Sequence, residues 1–558
     1  MSVQGWSVSV SAEEITFFLA PAAGAAIAVQ QIPRNAASAT DIWAIGAFSE
    51  VNGYPREVEF YSDRLIFAGT ISQPQTLWMS QTGNYPAFGK SVPGEETDSI
   101  NVTLNARQVN TVLDLVPLES LVLMTSGGEW RTSTGQSEVI APTTVGFKPQ
   151  SYFGSASVPA IVIGNTALFV QQRGYIVRDL AYQFEADGYT GSDLTVFSQH
   201  LLQDQPIREW AYQQTPYSTV WCVREDGVLL SLTYMRDQQV VGWTQHETDG
   251  FAESVTVIPE ASEDAVYVAV RRTAGGQSRR YVERLSTRIV SNAAEGAFVD
   301  SFLTFRGQHT GGVALRISRL GSGGWTNNDL LQLTADFGAS TPFSLGDVGD
   351  QVWVQWEGQA LRLQVTEYVD AAAVRVIPVR NIPPTLQVDN PASQPALTDW
   401  AFARDTITGL AHLEGREVAI LANGFVQERK TVTGGAITLD APGTIVHVGL
   451  PYTAEMETLE INAGMQDSTK PRNKRINRVS LVLQDTRSIV VQTPQGREEE
   501  FEPRALADSY QSAPSLQQET VELWISGTWD KSGRFKVIQR DPLPITILAA
   551  IPEVTLGE

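Results

Sequence analysis

Along most of the chain, apolar residues either alternate with polar ones or form short runs. Runs flanked by Gly, Pro, Asp or Asn are typical of β-strands, because successive strand side chains point to opposite faces. They occur at 65–70, 120–126, 160–163, 167–171, 219–223, 228–234 and 265–271. A helical apolar period is found only weakly, at 179–184 and 193–202. The pattern therefore predicts an all-β fold.

The predicted strands between residues 55 and 286 group into five modules, at 55–88, 112–142, 160–184, 208–248 and 251–285. Their repeat of about 40 to 50 residues suits four-stranded propeller blades. No module carries the Gly-His and Trp-Asp signature of a WD40 array. The spacing predicts an irregular β-propeller, and a series of β-sandwiches would give the same spacing.

Changes in the pattern of strand-like runs and of Gly- and Pro-rich stretches along the chain predict five regions. Residues 1–50 form an N-terminal segment that contacts an adaptor or a neighbouring copy, and 51–297 form the first part of the propeller. Residues 298–395 are an inserted β domain that serves as a platform, with an alternating strand at 351–356. Residues 396–455 are a hairpin-rich β module. Residues 456–558 supply C-terminal β elements that complete the propeller or a channel, and their apolar tail at 544–551 is expected to pair into a sheet.

Composition narrows the function classes. The 558 residues include 62 acidic and 40 basic side chains, giving a formal net charge of −22. This balance argues against a protein that grips nucleic acid through a basic surface. The single cysteine, Cys222, excludes an internal disulfide and lies in an apolar strand, which favours a buried small hydrophobe. The longest apolar stretch, 15–29, contains Pro21 and Gly24 and is too short to span a membrane.

Motifs for catalysis or cofactor binding are not found. The five histidines show no metal-ligand spacing, and neither a Walker A loop nor a Gly-x-Ser-x-Gly elbow occurs. We therefore expect no enzyme activity, no metal and no cofactor. The alternative is a glycoside-hydrolase pair drawn from Asp187, Asp193 and Asp226. Asp before Gly, as at 187 and 226, is more typical of a turn whose side chain bonds its own backbone.

Tryptophan recurs about once per module, which favours a role in the core between blades, with the indole N–H donating to a backbone carbonyl. A sugar-stacking platform is the alternative. The tryptophans concerned are Trp78, Trp130, Trp210, Trp221 and Trp243. Adjacent acid–base pairs at strand starts, Asp63-Arg64 and Glu283-Arg284, are interpreted as salt bridges at a blade rim or turn locks.

One basic cluster stands out in this acidic chain, and it contains Lys470, Arg472, Lys474, Arg475 and Arg478. We interpret it as a solvated loop or as a complement to acid on a neighbouring copy. The alternative is a nucleic-acid contact, against which stand the acidic overall charge and the lack of interleaved aromatic residues. The acidic complement is predicted at Glu498, Glu499 and Glu500.

Several short sequence motifs, which occur in the same order, resemble those of the nozzle (tail tubular protein B) family of short-tailed, podovirus-type bacteriophages. The resemblance covers roughly residues 50–290 and 405–550. The motifs that carry the resemblance include Gly53-Tyr54-Pro55, the stretches 58–60, 63–70, 75–80, 174–178, 193–195, 225–227, 232–234, 241–243, 281–284, 412–415 and 449–452, and Asn423-Gly424. Many family members carry a long segment before the Gly-Tyr-Pro motif, whereas about 50 residues precede this motif here.

The resemblance implies a structural virion protein, assembled in the host cytoplasm. Six copies would form a ring below the portal and adaptor, continue the DNA channel, and anchor fibres or a needle. The genome would pass through the lumen without specific binding, since an acidic wall repels phosphates. In such a ring the basic segment would dock on residues 498–500 of the next copy.

Two other classes stay open. One is a carbohydrate-binding or carbohydrate-depolymerising propeller of a phage tail. The other is a generic propeller interaction module in the cytosol.

Overall fold

The computed structural model describes residues 6–9, 14–17, 46–106, 109–134, 139–307, 312–336, 341–390, 393–462, 469–501, 513, 515–525 and 527–557. The chain is all-β, as predicted, and the helices described are 3-10 turns of three residues. The two weak helical predictions are wrong: Val177–Gln183 is a strand, and 193–202 contains only the 3-10 turn Gln199–Leu201. No helix within the described ranges is both long and apolar enough to cross a membrane.

Five antiparallel sheets follow one another along the first half of the chain, each with its strands in sequence order. Sheet 1 contains β3 (Glu57–Tyr61), β4 (Arg64–Ala68), β5 (Thr76–Met79) and β6 (Ile100–Thr103). Sheet 2 contains β7 (Val112–Pro117), β8 (Leu121–Thr125), β9 (Gly128–Ser133) and β10 (Gly146–Ser151). Sheet 3 contains β11 (Ile161–Ile163), β12 (Thr166–Val170), β13 (Val177–Gln183) and β14 (Gly188–Thr190).

Sheet 4 contains β15 (Ile207–Gln213), β16 (Thr219–Arg224), β17 (Leu229–Met235) and β18 (Val240–His246). Sheet 5 has three strands, β19 (Phe251–Glu260), β20 (Glu263–Ala274) and β21 (Gln277–Arg284). The five sheets correspond to the five predicted modules. The first three extend further than predicted, because β6, β10 and β14 lie beyond residues 88, 142 and 184.

Hydrophobic clusters join each of these sheets to the next, and adjacent residues of one strand serve different neighbours. In β12, Phe169 packs with sheet 2 and Leu168 packs with sheet 4. In β16, Cys222 contributes to the core with sheet 3 and Trp221 to the core with sheet 5. Strands buried on both faces read as continuous apolar runs, which explains why these runs were visible in the sequence. The series is an irregular β-propeller.

The inserted region and the hairpin-rich module share sheets. Sheet 6 has the order β22 (Asp300–Arg306), β32 (Ile445–Leu450), β29 (Glu417–Ala422) and β30 (Phe425–Thr431). A seven-stranded sheet has the order β23 (Leu315–Arg319), β24 (Leu331–Ala335), β27 (Ala373–Pro378), β26 (Gln359–Asp370), β25 (Gln351–Trp356), β28 (Trp400–Thr408) and β31 (Ala436–Gly443). The sheet therefore crosses the predicted boundary at residue 395.

The C-terminal module contains two further sheets around one core. The first has the order β33 (Ala454–Glu457), β38 (Lys536–Gln539), β35 (Ile489–Gln492) and β36 (Glu498–Phe501). The second has the order β37 (Thr520–Trp524), β34 (Lys474–Leu483) and β39 (Ile547–Leu556), so the tail pairs into a sheet as predicted. Near the start of the chain, β1 (Trp6–Ser9) and β2 (Glu14–Phe17) form a hairpin.

Candidate functional sites on the first strands and the C-terminal module

The three aspartates predicted as glycosidase candidates lie in separate turns. Asp187 follows β13, has φ +43°, and accepts hydrogen bonds from Tyr182 and Arg131. Asp193 accepts the backbone N–H (2.8 Å) and hydroxyl (2.6 Å) of Thr195. These contacts are those of turn-forming residues.

Asp226 lies in the turn between β16 and β17. It pairs with Arg224 and accepts the N–H of Val228 at 3.3 Å. The hydrogen bond from Arg224 lowers the pKa of Asp226, and the hydrogen bonds from Tyr182 and then Arg131 lower the pKa of Asp187. Both carboxyls are held ionised, so neither is suited to donate a proton at neutral pH.

For another two carboxyls, those of Glu57 and Asp114, the pKa is raised rather than lowered. Glu57 on β3 and Asp114 on β7 lie on the first strands of sheets 1 and 2, which contact each other. Burial, together with the nearby charge of Asp114, raises the pKa of Glu57 to about 7. Burial also raises the pKa of Asp114, although it accepts the N–H of Ala160 at 2.6 Å. A carboxyl that titrates near neutrality beside a second carboxyl can take part in acid–base chemistry.

Contacts between the first strands continue along the series. The indole N–H of Trp210 on β15 donates to the carbonyl of Pro159 at 2.6 Å, just before β11. The hydroxyl of Ser254 on β19 donates to Glu209 on β15 at 2.9 Å. The first strands are thus the edges where neighbouring sheets approach. Neither Glu57 nor Asp114 was predicted as a site residue, and the available signal in the sequence was the alternation of acidic with apolar residues at 57–60.

The basic segment is partly buried. Lys474 is 1% exposed, and its ammonium donates to the carbonyls of Lys470 (3.3 Å), Arg472 (3.4 Å) and Lys531 (2.5 Å). A charge enclosed by three carbonyls of its own chain cannot reach a neighbouring copy. Lys474 therefore stabilises this loop from inside, and the prediction of an intersubunit contact is corrected at this residue. Lys470 is exposed.

Two other charged residues of the predicted contact are paired within the chain. Arg478 contacts Glu522 at 2.8 Å and Glu553 at 3.0 Å. Glu498 accepts hydrogen bonds from both terminal nitrogens of Arg540, at 2.6 and 2.9 Å, and these hydrogen bonds lower the pKa of Glu498.

The charges left for an outside partner are Arg472, Arg475, Glu499 and Glu500. All four are exposed. None has an ion-pair partner among the residues that the structure describes. They lie on or beside β34 and on β36 of the same module.

Four of the five tryptophans lie in the core as predicted, but the indole nitrogens of Trp78 and Trp130 have no acceptor in the described part of the chain. Trp78, Trp130, Trp210 and Trp221 are buried. Trp210 and Trp243 donate to the carbonyls of Pro159 and Leu194 in the region of sheet 3. Trp221 instead donates to the Gln213 side chain at 3.1 Å.

Cys222 is buried as predicted, and burial raises the pKa of its thiol. Arg284 pairs with Glu260 and Glu263 at the edge of sheet 5, whereas its neighbour Glu283 pairs with the buried Arg272, so the predicted Glu283-Arg284 salt bridge is not formed.

Arg64 differs from the prediction. It is 1% exposed and donates to backbone carbonyls, so it is a core residue. Its interpretation as a rim salt bridge with Asp63 is wrong. Across the described ranges, no group of three or more His, Cys, Asp or Glu side chains is arranged to hold a metal.

Comparisons with known proteins do not identify a family for this chain. No family model matches the chain, and no curated protein matches it. The β-propeller domain of Swd1 from Myceliophteria thermophila is 8% identical, with 39% of this chain and 80% of that chain covered and a TM-score of 0.23. A putative 6-phosphogluconolactonase from Bacteroides uniformis is 10% identical, with 70% and 100% covered and a TM-score of 0.24.

A GH43 glycoside hydrolase is 11% identical, with 71% of this chain and 97% of that chain covered and a TM-score of 0.21. At such identities and TM-scores these likenesses indicate neither kinship nor function. The propeller assignment therefore rests on the sheet topology.

Proposed function

We propose that this chain is a structural protein of a short-tailed phage, and that six copies form the tail nozzle. The ring continues the DNA-ejection channel below the portal and adaptor and anchors fibres. The observation that carries the proposal is the ordered set of sequence motifs that resemble those of the nozzle family. Several of them fall on the joints between sheets, where they support architecture rather than chemistry.

Two glycines illustrate this placement. Gly174 has φ +84°, and a Cβ there would lie 2.4 Å from the Cβ of Pro206. Gly227 has φ +81°, and a Cβ there would lie 2.4 Å from the ring of Phe251, at the junction of sheets 4 and 5. Only glycine combines this backbone conformation with such close approach. The motifs that contain these two glycines thus allow consecutive sheets to approach each other closely.

The charge of the chain supports the role of a conduit. With a formal net charge of −22, the protein repels phosphates, so a duplex can slide without being held. In this proposal the partners are other copies, the adaptor ring, fibres or a needle, and passing DNA. The protein acts in the virion without catalysis.

The contact between copies is proposed at the exposed charges of the C-terminal module. Arg472 and Arg475 of one copy pair with Glu499 and Glu500 of the next. A ring closes through two different surfaces on each copy, which this arrangement provides. The R472E/R475E variant is expected to lose ring assembly in the presence of the adaptor, and adding E499R/E500R is expected to restore it. The matched control is R208E, an exposed arginine on β15.

Cryo-electron microscopy of the chain mixed with its adaptor tests the function directly. We expect sixfold rings whose copies each contain the five-sheet series. Mass spectrometry of infectious particles should find the chain in six copies for each portal. Its absence from mature particles would overturn the proposal, whereas intact rings formed by R472E/R475E would overturn only the assigned contact.

One observation favours a second candidate, a carbohydrate-binding or carbohydrate-depolymerising propeller. Glu57 is half-buried near Asp114 and lies 3.6 Å from the guanidinium of Arg56, and burial raises its pKa to about 7. This is the property required of a general acid in glycoside hydrolysis. Incubation with capsular polysaccharide tests it: release of oligosaccharides that is lost in E57Q and retained in D226N would favour this candidate over the nozzle.

A further inference from the structure

The first strand of sheet 1 has its apolar side facing outward. Val58 and Phe60 on β3 are 58% and 56% exposed. Glu57 and Glu59, which alternate with them, lie on the half-buried side with Ile66 and Ala68, and that side packs against sheet 2. A strand with one covered face normally buries its apolar residues. The reversed orientation indicates that the outward side of β3 is also covered in the working protein.

Strand register extends this apolar side across the sheet. Val58 lies opposite Phe67, and Phe67 lies opposite Trp78, so these residues share one face. Phe60 and its partner Leu65 continue the same face. We call this surface, formed by Val58, Phe60, Leu65, Phe67 and Trp78, the outer face of sheet 1.

Aromatic residues from nearby loops cover this face only in part. Phe48 packs edge-on against Phe67 and Trp78, with ring centroids 5.5 and 5.0 Å away. Tyr85 packs against Phe60 at 5.1 Å and is itself 40% exposed. The indole nitrogen of Trp78 is buried and has no acceptor in the described part of the chain. Both the apolar surface and this unpaired donor call for a further covering segment.

The far end of the series does not offer a matching surface. The outer face of sheet 5 carries ion pairs, with Arg271 and Arg280 on Glu253 and Arg284 on Glu260. Charged groups already paired with each other gain nothing from an apolar partner, and burying them would cost solvation. Head-to-tail packing of sheet 5 of one copy on sheet 1 of the next is therefore unfavourable.

We propose that residues 1–45 of the same chain cover the outer face of sheet 1. This segment leads directly into the face, because Phe48, three residues beyond its end, already lies on Phe67 and Trp78. A tethered segment also has a high effective concentration at a surface beside its attachment point.

Composition fits this role. The segment contains only four charged residues, Glu13, Glu14, Arg34 and Asp41, and carries the largely apolar run 15–19. Low charge and an apolar run suit burial against a hydrophobic sheet, and a backbone carbonyl of the segment can accept the hydrogen bond from Trp78. The proposal does not depend on the nozzle function.

Reciprocal substitutions in the full-length chain test the proposal. In V58D/F60D, we expect proteolysis within residues 1–45 to be about tenfold faster, because the released segment loses its protection. In F17D/F18D, we expect amide exchange at residues 57–61 to be about tenfold faster and binding of an apolar dye to increase. V282D, which changes an exposed valine on β21, is the matched control and should change none of these readouts.

Two further measurements keep the result decisive. Amide exchange at β16 reports whether a variant still folds, and F60S replaces V58D/F60D if that protection is lost. Sedimentation should show the same mass for wild type and variants. A fall in mass with V58D/F60D would identify a second copy as the covering partner and overturn the proposal. Unchanged exchange at 57–61 in F17D/F18D would overturn it as well.

Discussion

Arg64 provides the sharpest test of how the first two sheets are held together. Its guanidinium is buried and donates to the carbonyls of Ser80 (2.6 Å), Asp98 (2.7 Å), Glu96 (2.9 Å) and Ile140 (3.3 Å). Ile140 belongs to the core shared with sheet 2. One side chain thus satisfies four acceptors from three separate chain segments. We predict that Arg64→Met, which keeps the apolar stem but removes the donors, destabilises this part of the protein strongly.

The magnitude follows from the carbonyls left without a donor. At about 1 kcal/mol for each of the three buried acceptors, Ser80, Asp98 and Ile140, the loss is about 3 kcal/mol, and the partly exposed carbonyl of Glu96 adds little. For a cooperative unit of roughly 250 residues, this corresponds to a fall in Tm of about 6–12 °C. Arg64→Lys should lose less, because an ammonium retains up to three donors but lacks the span of the guanidinium.

Differential scanning calorimetry and urea denaturation measure these changes, with amide exchange at β4 and β8 reporting where stability is lost. Arg208→Met is the matched control, since Arg208 is exposed on β15, and we expect a change below about 0.5 kcal/mol. A loss below about 1 kcal/mol in Arg64→Met would refute the reasoning, because it would mean that the carbonyls find other donors or water at little cost.

Three further predictions concern titration and backbone geometry. The pKa of Glu57 is raised to about 7, so the folded chain keeps a proton that the unfolded chain has lost, and stability should fall as pH rises from about 4.5 to 7; E57Q should remove this slope in urea titrations at successive pH values. Burial lowers the pKa of His246 to about 4, so stability should fall as pH decreases from about 6.5 to 4, and H246Q should flatten that window; an unchanged slope would contradict the assignment. Gly227→Ala places a Cβ against the Phe251 ring at positive φ and should cost about 2–4 kcal/mol, whereas Gly242→Ala, with no atom within 4 Å, should cost less than about 1 kcal/mol in the same denaturation assay.

Local periodicity was sufficient to predict the strands and the five modules. Runs such as 167–171 and 219–223 are apolar at nearly every position because propeller strands pack against a sheet on each side. The burial of Cys222 followed from the same signal, and that of Trp78, Trp130, Trp210 and Trp221 from their recurrence about once per module. The weak helical period at 179–184 was misleading: these residues lie mostly on the strand Val177–Gln183, and only the short 3-10 turn Phe184–Ala186 follows it.

Charged residues were harder to place from sequence, since the position of a charge depends on distant acceptors. Lys474 looked like part of an exposed basic cluster, yet its ammonium lies on a carbonyl 57 residues away at Lys531. Arg64 looked like the partner of Asp63, yet it reaches Ile140, 76 residues away. Neither spacing is visible in a local window.

The sequence by itself determined the all-β class, the modules in the first half and the runs that form their cores, because short apolar runs bounded by turn residues mark strands that are buried on both faces. Only the tertiary structure decided which faces are covered and which charges are enclosed. It turned Val58 and Phe60 of β3 outward, placed Glu57 beside Asp114, and buried Arg64 and Lys474. The physical reason is that solvation and pKa depend on groups brought together by folding, which the order of residues along one strand does not specify.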